Sequence, residues 1–426
     1  MSGRSDYCLA IRALDLIETF RMKKPDETYR KWHRARALNQ ARRTRSSHVR
    51  TTRRVSTAKA NPPWRPRIVR AWSGDGIEKV LCVKGVNHPP EVICFNENGE
   101  DTLRFMSTLR EKLAIQKLAT GPQKKVWLST KSKHGLREIA IFTDYSGIRR
   151  MSTAAAVVLA AEYDRARRIM GSVPPTINLD EWSDAAFTTL FEVGFFEIVG
   201  ITPDTEQRYA DSRSGDVRTM RMISGANSNE LRDASERILE LSRFIDADGP
   251  MTAEVVSALN SALGEAMINV ARHAYPDDFE SPFVQVKRWW IAASANRAER
   301  RLNVVIYDQG ASIPWTLPKQ TWAAMFHGIL AKATGSLPDV SYPHDADYIE
   351  YAMGEGRTQT GQQGRGEGLP QMRDFVKICG AGSLTILSRG GKCCYRPENT
   401  FAKESLIMPI DGTLIEWEMQ LPRVNA

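Results

Sequence analysis

Three polar side chains recur at four-residue spacing within the stretch LGEAMINVARHAYP, residues 263–276. Glu265, Asn269 and His273 would form one row on an α-helix, because positions four apart stack on the same face. A carboxylate, an amide and an imidazole in one row can line the wall of a ligand pocket. The half-exposed edge of an ordinary core helix has the same pattern, since the row runs beside an apolar stripe of Leu259, Leu263, Ala266 and Val270.

A second candidate lies at the end of an apolar run in LNVVIYDQGASI, residues 302–313. The run predicts a buried strand that delivers Asp308 at its end and Gly310 two residues later. The Asp308 carboxylate can accept a hydrogen bond from an exocyclic amine, and a glycine allows a flat ring to approach the backbone. A plain strand-to-turn Asp-x-Gly, which needs no ligand, has the same pattern.

A third candidate is the glycine cluster in GQQGRGEGLPQMRDFV, residues 361–376. Gly364, Gly366 and Gly368 alternate, and Pro370 follows at the predicted start of a helix, where its missing N–H costs nothing. Backbone N–H groups at such a helix start can bind phosphate, although a flexible linker has a similar composition. No Gly-Lys-Ser/Thr follows and no βαβ unit surrounds the cluster, which disfavours P-loop and dinucleotide-binding sites.

The order of these three segments resembles that of the Bergerat-fold (GHKL) ATPases, which include gyrase B, MutL, histidine-kinase catalytic domains and anti-sigma-factor serine kinases. The resemblance covers residues 222–422, about half of the chain. The matching positions are Glu265 and Asn269 in the N box, Asp308, Gly310 and Ile313 in the G1 box, Gly364, Gly366, Gly368 and Leu369 in the G2 box, and Gly412 and Thr413 at the start of a late strand.

The resemblance implies that the domain binds ATP together with Mg²⁺. It implies that the amide oxygen of Asn269 ligates Mg²⁺, a hard ion that prefers oxygen ligands and bridges phosphates. Glu265 would orient or deprotonate the attacking water or hydroxyl. Asp308 would bind the adenine amine, and the glycines of the G2 box would close over the phosphates as a lid.

Further residues fall where relatives place groups close to the nucleotide. Arg272 and His273 match positions of a cation near phosphate or a ring near adenine, and Arg357 or Arg365 would stabilise charge on the γ-phosphate. Arg357 and Arg365 are each also explained as a solvated lid residue. The segment 314–363 is long for the family, and the helix before the N box has no histidine, which disfavours a histidine autokinase.

Strands alternate with helices in the segment that precedes the ATPase-like region, which predicts a separate α/β unit. Its stretch IAIFTDYSGIRRMSTAAAVVLAAEYDRARR, residues 139–168, resembles the STAS domains of anti-sigma-factor antagonists. In that family a serine at the start of a helix is phosphorylated by a Bergerat-fold kinase. Thr153 falls nearest to that position with Ser152 beside it, and either residue could instead simply cap the helix.

A basic segment, residues 21–70, precedes the STAS-like and ATPase-like units, and its only acidic residues are Asp26 and Glu27. Residues 28–70 therefore form either an arm that contacts nucleic acid or another polyanion, or a solvated or intersubunit arm. The six cysteines form no CxxC pair, which favours a reducing cytoplasmic compartment. The sequence contains no apolar run of the roughly 18–20 residues that a membrane-spanning helix needs.

The predicted fold is therefore an α+β sandwich, the Bergerat ATP-binding fold, preceded by a STAS-like α/β domain and a basic N-terminal arm. The predicted boundaries are residues 1–75 for the arm, 76–205 for the STAS-like domain and 215–426 for the ATP-binding domain.

Three functions fit the same pocket and differ in what becomes of the γ-phosphate. The favoured one is an ATP-hydrolysing conformational switch, in which an ordered lid recruits a protein partner or forms a homodimer. The second is a serine/threonine kinase that acts on a STAS-like segment in the same or another chain. The third is a nucleotide-gated regulator that binds nucleic acid through the arm and turns over no ATP.

Overall fold

The computed structural model describes ten stretches of the chain: residues 65–113, 127–129, 135–201, 205–213, 215–247, 251–281, 283–317, 344–354, 368–398 and 400–421. Several predicted features lie outside the described residues. They are the basic arm up to residue 64, the lid residues Gly364 and Gly366, both candidate lid arginines, Arg357 and Arg365, and the helix predicted near residues 321–330.

The first part of the described chain contains two small sheets. A four-stranded sheet has the order β4-β2-β1-β6, in which β2 and β4 are parallel and the other pairs are antiparallel. A parallel pair, β3 and β5, forms a second sheet. The strands are β1 (Arg67–Ser73), β2 (Gly76–Asn87), β3 (Val92–Ile93), β4 (Arg137–Thr143), β5 (Arg150–Met151) and β6 (Thr176–Ile177).

Strand β1 lies within the range predicted for the basic arm, so the ordered fold begins before residue 76. Val69 and Ala71 of β1 are buried, whereas Arg67 and Arg70 are exposed. The exposed arginines continue the basic composition of the preceding segment. Because of these arginines, composition alone does not distinguish β1 from the basic segment, although β1 is a strand that pairs with β2 along its whole length.

Helices cover these sheets, and the second is buried around its whole circumference. All residues from Ala154 to Ala166 of α2 are buried, which is typical of a helix enclosed on every side. Ser152 caps its N-terminus, and Gly171 ends it with φ +70°. The helices are α1 (Gly99–Leu113), α2 (Thr153–Met170), α3 (Asp184–Glu192), α4 (Phe195–Val199) and α5 (Glu206–Ser212).

The second part of the described chain is built on one antiparallel sheet with the order β11-β12-β10-β9-β7, and β8 also pairs with β9. The stretch FVQVKRWWIAA, residues 283–293, predicts a strand, but β9 begins only at Trp289, because Lys287 has a left-handed φ of 51° that interrupts an extended chain. The strands are β7 (Val217–Thr219), β8 (Ile223–Gly225), β9 (Trp289–Asn296), β10 (Arg301–Asp308), β11 (Gly382–Arg396) and β12 (Thr400–Gln420).

The helices of this part include the one predicted to carry the polar row. Within the described ranges, no helix combines the length and apolar content that crossing a bilayer requires. The helices are α6 (Leu231–Ile245), α7 (Ala253–Asn269), α8 (Ile313–Thr316), α9 (Asp345–Met353) and α10 (Gly368–Cys379).

The large sheet is covered on both faces. On one face Trp417 donates its indole N–H to the carbonyl of Met372 in α10, at 3.0 Å. On the other face Trp290 donates to Oδ2 of Asp164 in α2, at 2.8 Å. One apolar core includes residues from both parts of the chain, and residues from Arg65 onward form one compact unit. The two segments predicted as separate domains therefore share a core.

Candidate functional site

Asp308 is the last residue of β10, and its side chain is buried. Its carboxylate accepts hydrogen bonds from the N–H of Gly310, at 2.8 Å, and from the N–H of Thr413 on the neighbouring strand. Burial raises the pKa of Asp308 to about 7, although both backbone bonds act in the opposite direction. Two donors leave part of the acceptor capacity of this carboxylate unused.

Gly310 lies against the end of the N-box helix. A Cβ atom at this position would lie 2.0 Å from the carbonyl oxygen of Ala274, so a larger residue does not fit. The next residue, Ala311, donates its N–H to that same oxygen at 2.5 Å. The glycine thus has a packing reason besides the predicted approach of a ring, and the turn after Asp308 is bonded to the helix end that follows Asn269.

The polar row of the N box extends over two residues rather than three. Helix α7 ends at Asn269, and residues Val270–Ala274 form a π-helical turn, although the sequence pattern predicted one helix through Tyr275. A π turn is wider than an α turn and changes the direction of the residues after it. Glu265 and Asn269 are half-buried, whereas His273 is exposed, as is Arg272.

Glu265 and Asn269 have no hydrogen-bond or ion-pair partner among the described residues. Another polar residue of the same helix is different, because Asn260 accepts a hydrogen bond from Ser235, at 2.5 Å. Half-buried polar groups are usually paired with protein or water. The unpaired carboxylate and amide are therefore free to bind a ligand.

No group of three or more His, Cys, Asp or Glu side chains that could hold a metal ion occurs in the described part of the chain. A dedicated protein cage for a cation is thus absent there. Magnesium is commonly held by one or two protein oxygens together with substrate phosphates and water. The single amide oxygen of Asn269 fits that kind of site.

Ser388 contributes to the site although the sequence pattern gave no reason to select it. It lies at a bulge in β11, is fully buried, and accepts the N–H of Ile313 at 2.9 Å. Its hydroxyl is also 2.9 Å from Oγ1 of Thr413, whose N–H binds Asp308. Gly412 precedes Thr413 with φ +94°, and a Cβ there would meet the carbonyl oxygen of Asp308 at 1.9 Å.

Residues of the G1 and G2 boxes meet in a small apolar cluster. Ile313 and Leu369 pack against the buried residues Leu317, Tyr348 and Ala352. Gly368 and Leu369 form the first residues of α10, as the glycine-proline pattern predicted. The two ends of the lid segment are thereby brought to the site, while its middle lies outside the described residues.

Thr153, the candidate phosphoacceptor, is far from Asp308. Its hydroxyl donates to Oγ of Ser294 at 2.8 Å, on the face of the sheet that α2 covers. Ser294 pairs with Asn303 of β10, five residues before Asp308, a distance of about 17 Å along a strand. Ser152 accepts the N–H of Ala155, which confirms its role as a helix cap.

A groove of about 640 Å³ lies apart from the site predicted from sequence, between β7 and α6, and its walls include Arg218, Arg237 and Phe244. Acidic side chains, among them Asp233 and Glu240, line the same groove and offset its positive charge.

A comparison with known families agrees with this geometry. The family model described as histidine kinase-like ATPase domain matches residues 228–333. The match includes Glu265 and Asn269 of the N box and Asp308, Gly310 and Ile313 of the G1 box, and it ends before the glycine cluster. No curated protein matches the chain.

Proposed function

We propose that the chain is a Mg²⁺-dependent ATP-binding protein that acts as an ATP-hydrolysing conformational switch. The premise is the histidine kinase-like ATPase domain matched at residues 228–333. The observation that carries the proposal is the bond between Ala311 and Ala274, at 2.5 Å. It joins the turn that follows the buried Asp308 to the helix end that carries the unpaired Glu265 and Asn269.

In this proposal each side chain has one task. Ionised Asp308 accepts a hydrogen bond from the adenine amine, and Asn269 holds Mg²⁺ through its amide oxygen. Glu265 orients the attacking water and takes its proton. Mg²⁺, when bound, neutralises charge on the phosphates. Closure of the glycine lid over the phosphates would exclude bulk water.

The switch itself would be the lid segment between α8 and α10. Nucleotide contacts would favour the closed lid, whose outer surface binds a protein partner or a second copy of the chain, and hydrolysis would reverse the preference. The basic residues 28–70 are proposed as a contact for nucleic acid.

A serine/threonine kinase of the anti-sigma-factor type is the second candidate. The N box that closes with His-Ala-Tyr and a STAS-like segment in the same chain favour it. The Thr153 hydroxyl, bonded to Ser294 on the opposite face of the sheet, is poorly placed to accept phosphate from its own site. We therefore propose that the acceptor in this case is a STAS-like segment of another molecule.

The deciding experiment follows the γ-phosphate of labelled ATP with purified protein and Mg²⁺. Release of free phosphate that is lost in Glu265→Ala, with ATP affinity retained, would support the switch. Label transferred to protein would replace the switch by the kinase. An absence of ATP binding in the wild-type protein, measured by calorimetry, would overturn both proposals.

A further inference from the structure

Gln309, the residue between Asp308 and Gly310, is held by hydrogen bonds through its backbone N–H, its carbonyl oxygen and its side-chain nitrogen, whereas its side-chain oxygen is buried without a partner. Its backbone N–H donates to the hydroxyl of Tyr275 at 3.2 Å, and its carbonyl accepts from Nε2 of Gln285 at 2.5 Å. Its side-chain Nε2 donates to Oε1 of Glu162 at 2.9 Å. Because side chains alternate along a strand end, Asp308 faces the candidate nucleotide site while Gln309 faces α2.

Glu162 belongs to α2, outside the region that the ATPase family model matches. It is fully buried, and its two oxygens accept hydrogen bonds from Arg110 of α1 at 2.7 Å and from Arg165 at 2.7 Å. Burial alone would raise the pKa of Glu162, but the charges of Arg110 and Arg165 outweigh burial and lower it. Glu162 is therefore a fixed anion whose charge is already balanced.

Arg110 also supports the chain that leads to Thr413, the other residue whose N–H binds Asp308. Arg110 donates to the hydroxyl of Tyr307 and forms an ion pair with Asp411. The Tyr307 hydroxyl in turn donates to the carbonyl of Asp411 at 2.9 Å. Asp411 is followed by Gly412 and then by Thr413, the second residue whose N–H binds the Asp308 carboxylate.

We propose that Glu162 is a positioning residue of the adenine site, which it acts on through Gln309 from the opposite face of the sheet. The N–H groups of Gly310 and Thr413 hold the Asp308 carboxylate. The buried ion pair of Glu162 and Arg110 fixes the chain next to both of these N–H groups. A carboxylate held in its ligand-binding orientation loses little entropy when adenine binds. The proposal rests on the proposed function for its ligand, but not for its effect on Asp308.

The chain offers a matched control for this idea. Two of the side-chain hydrogen bonds between α2 and the sheet region differ in position: Gln309 donates to Glu162 at 2.9 Å, and Thr153 donates to Ser294 at 2.8 Å. Only the first is adjacent to Asp308. Gln309→Met removes the amide and keeps the length of the side chain, whereas Ser294→Ala removes the acceptor of the second bond.

The experiment measures two quantities in the full-length wild type, Gln309→Met and Ser294→Ala. The first is the titration midpoint of Asp308 in nucleotide-free protein, observed by carboxyl-selective ¹³C NMR and assigned with Asp308→Asn. The second is the dissociation constant for ATP with Mg²⁺, by calorimetry. Tyr275→Phe, which removes the acceptor of the Gln309 N–H, serves as an independent second variant.

We expect Gln309→Met and Tyr275→Phe to lower the Asp308 midpoint toward its ordinary value, because a loosened turn admits water to a group whose pKa is raised mainly by burial. We expect each to weaken ATP binding about tenfold, the effect of one hydrogen bond to a charged group. Ser294→Ala should change neither quantity.

Equal midpoints in Gln309→Met, Tyr275→Phe and Ser294→Ala would overturn the proposal and leave the proposed function standing if the wild type binds ATP. Changed midpoints in a wild type that binds no ATP would support the positioning role of Glu162 and contradict the proposed function. Weakened ATP binding in Ser294→Ala to the same extent as in Gln309→Met would assign the effect to general loosening and would also overturn it.

Discussion

Two buried carboxylates lie on opposite faces of the same sheet, and their pKa values shift in opposite directions. Burial raises the pKa of Asp308 to about 7, and in the described residues no cationic side chain opposes it. Burial has the same tendency at Glu162, but Arg110 and Arg165 lower the pKa of that group. The comparison teaches that burial alone does not mark a binding site. A buried carboxylate with unused acceptor capacity and no counter-charge is the one prepared for a ligand.

The largest effect is expected when the buried carboxylate of Glu162 loses a cationic partner. Arg110→Met keeps most of the side-chain volume but removes the positive charge that pairs with Glu162 and Asp411. It should lower the free energy of unfolding by about 3–5 kcal/mol. Urea denaturation measures it. Arg104→Met, which removes an exposed ion pair with Glu100 in the same helix, should cost at most about 0.5 kcal/mol. Equal losses in the two variants would contradict the distinction between the faces.

On the other face of the sheet, Asp308→Asn should raise the stability of the nucleotide-free protein but weaken ATP binding. A pKa raised from 3.8 to about 7 gives stability that is fully present below the unfolded pKa and is lost as pH rises through 7. The amide avoids that loss, so at pH 8 it should stabilise nucleotide-free protein by up to about 4 kcal/mol. ATP affinity should fall at least about a hundredfold. Denaturation and calorimetry at pH 8 measure both, and an unchanged ATP affinity would remove Asp308 from the site.

The ATP affinity of the wild type should depend on pH through the same group. In the proposed site adenine needs the ionised carboxylate, whose fraction decreases about tenfold per pH unit below 7. Binding should therefore release a proton near pH 7, which calorimetry in two buffers of different ionisation enthalpy detects. Proton release that persists at pH 9, where Asp308 is already ionised, would have to come from another group and would contradict this assignment.

A smaller effect is expected at Ser388, which supports both Ile313 and Thr413. Ser388→Ala leaves the buried N–H of Ile313 without its acceptor, and should cost about 1–2 kcal/mol in the free energy of unfolding. The ATP dissociation constant should rise about threefold to tenfold, because Thr413 in turn holds Asp308. Retention of full affinity would show that Thr413 is fixed by its strand pairing alone.

The smallest effect is expected from Thr153→Val, which removes one hydrogen bond on the face remote from Asp308. We expect a loss of about 1 kcal/mol in the free energy of unfolding and no change in ATP affinity or phosphate release. If label from ATP appears on the wild-type protein and disappears in this variant, Thr153 is the phosphate acceptor, either in its own chain or in a second copy.

Structural features that depend on neighbouring residues in the sequence could be predicted. The start of α2 was predicted at Ser152 and Thr153, and Ser152 is its cap. The strand that ends at Asp308 was predicted from its own apolar run. Strand β12 was predicted only from Thr413, although it begins at Thr400. Most of its first six residues are exposed and two of them, Lys403 and Glu404, are charged, so pairing with β11 rather than an apolar pattern makes them a strand.

The support of the site could not be predicted, because its residues are distant in sequence and ordinary in type. Ser388, Tyr275 and Gln309 gain their roles only when β11, the π turn and α2 meet around Asp308. A serine in a strand or a glutamine in a turn carries no local signal of such contacts. The π turn also depends on tertiary packing, since the helical pattern continues through it.

The helix α2, buried on all sides, has a consequence for synthesis of the chain. It leaves the ribosome long before the strands that cover it, since about 140 residues separate its end at Met170 from the end of β10 at Asp308. At typical elongation rates that interval lasts roughly 7 to 28 s. During that time an alanine-rich helix lacks its principal partner, so we expect the nascent chain to be a substrate for chaperones that hold exposed apolar segments. Folding of the first half should therefore be completed only after the central sheet has been translated.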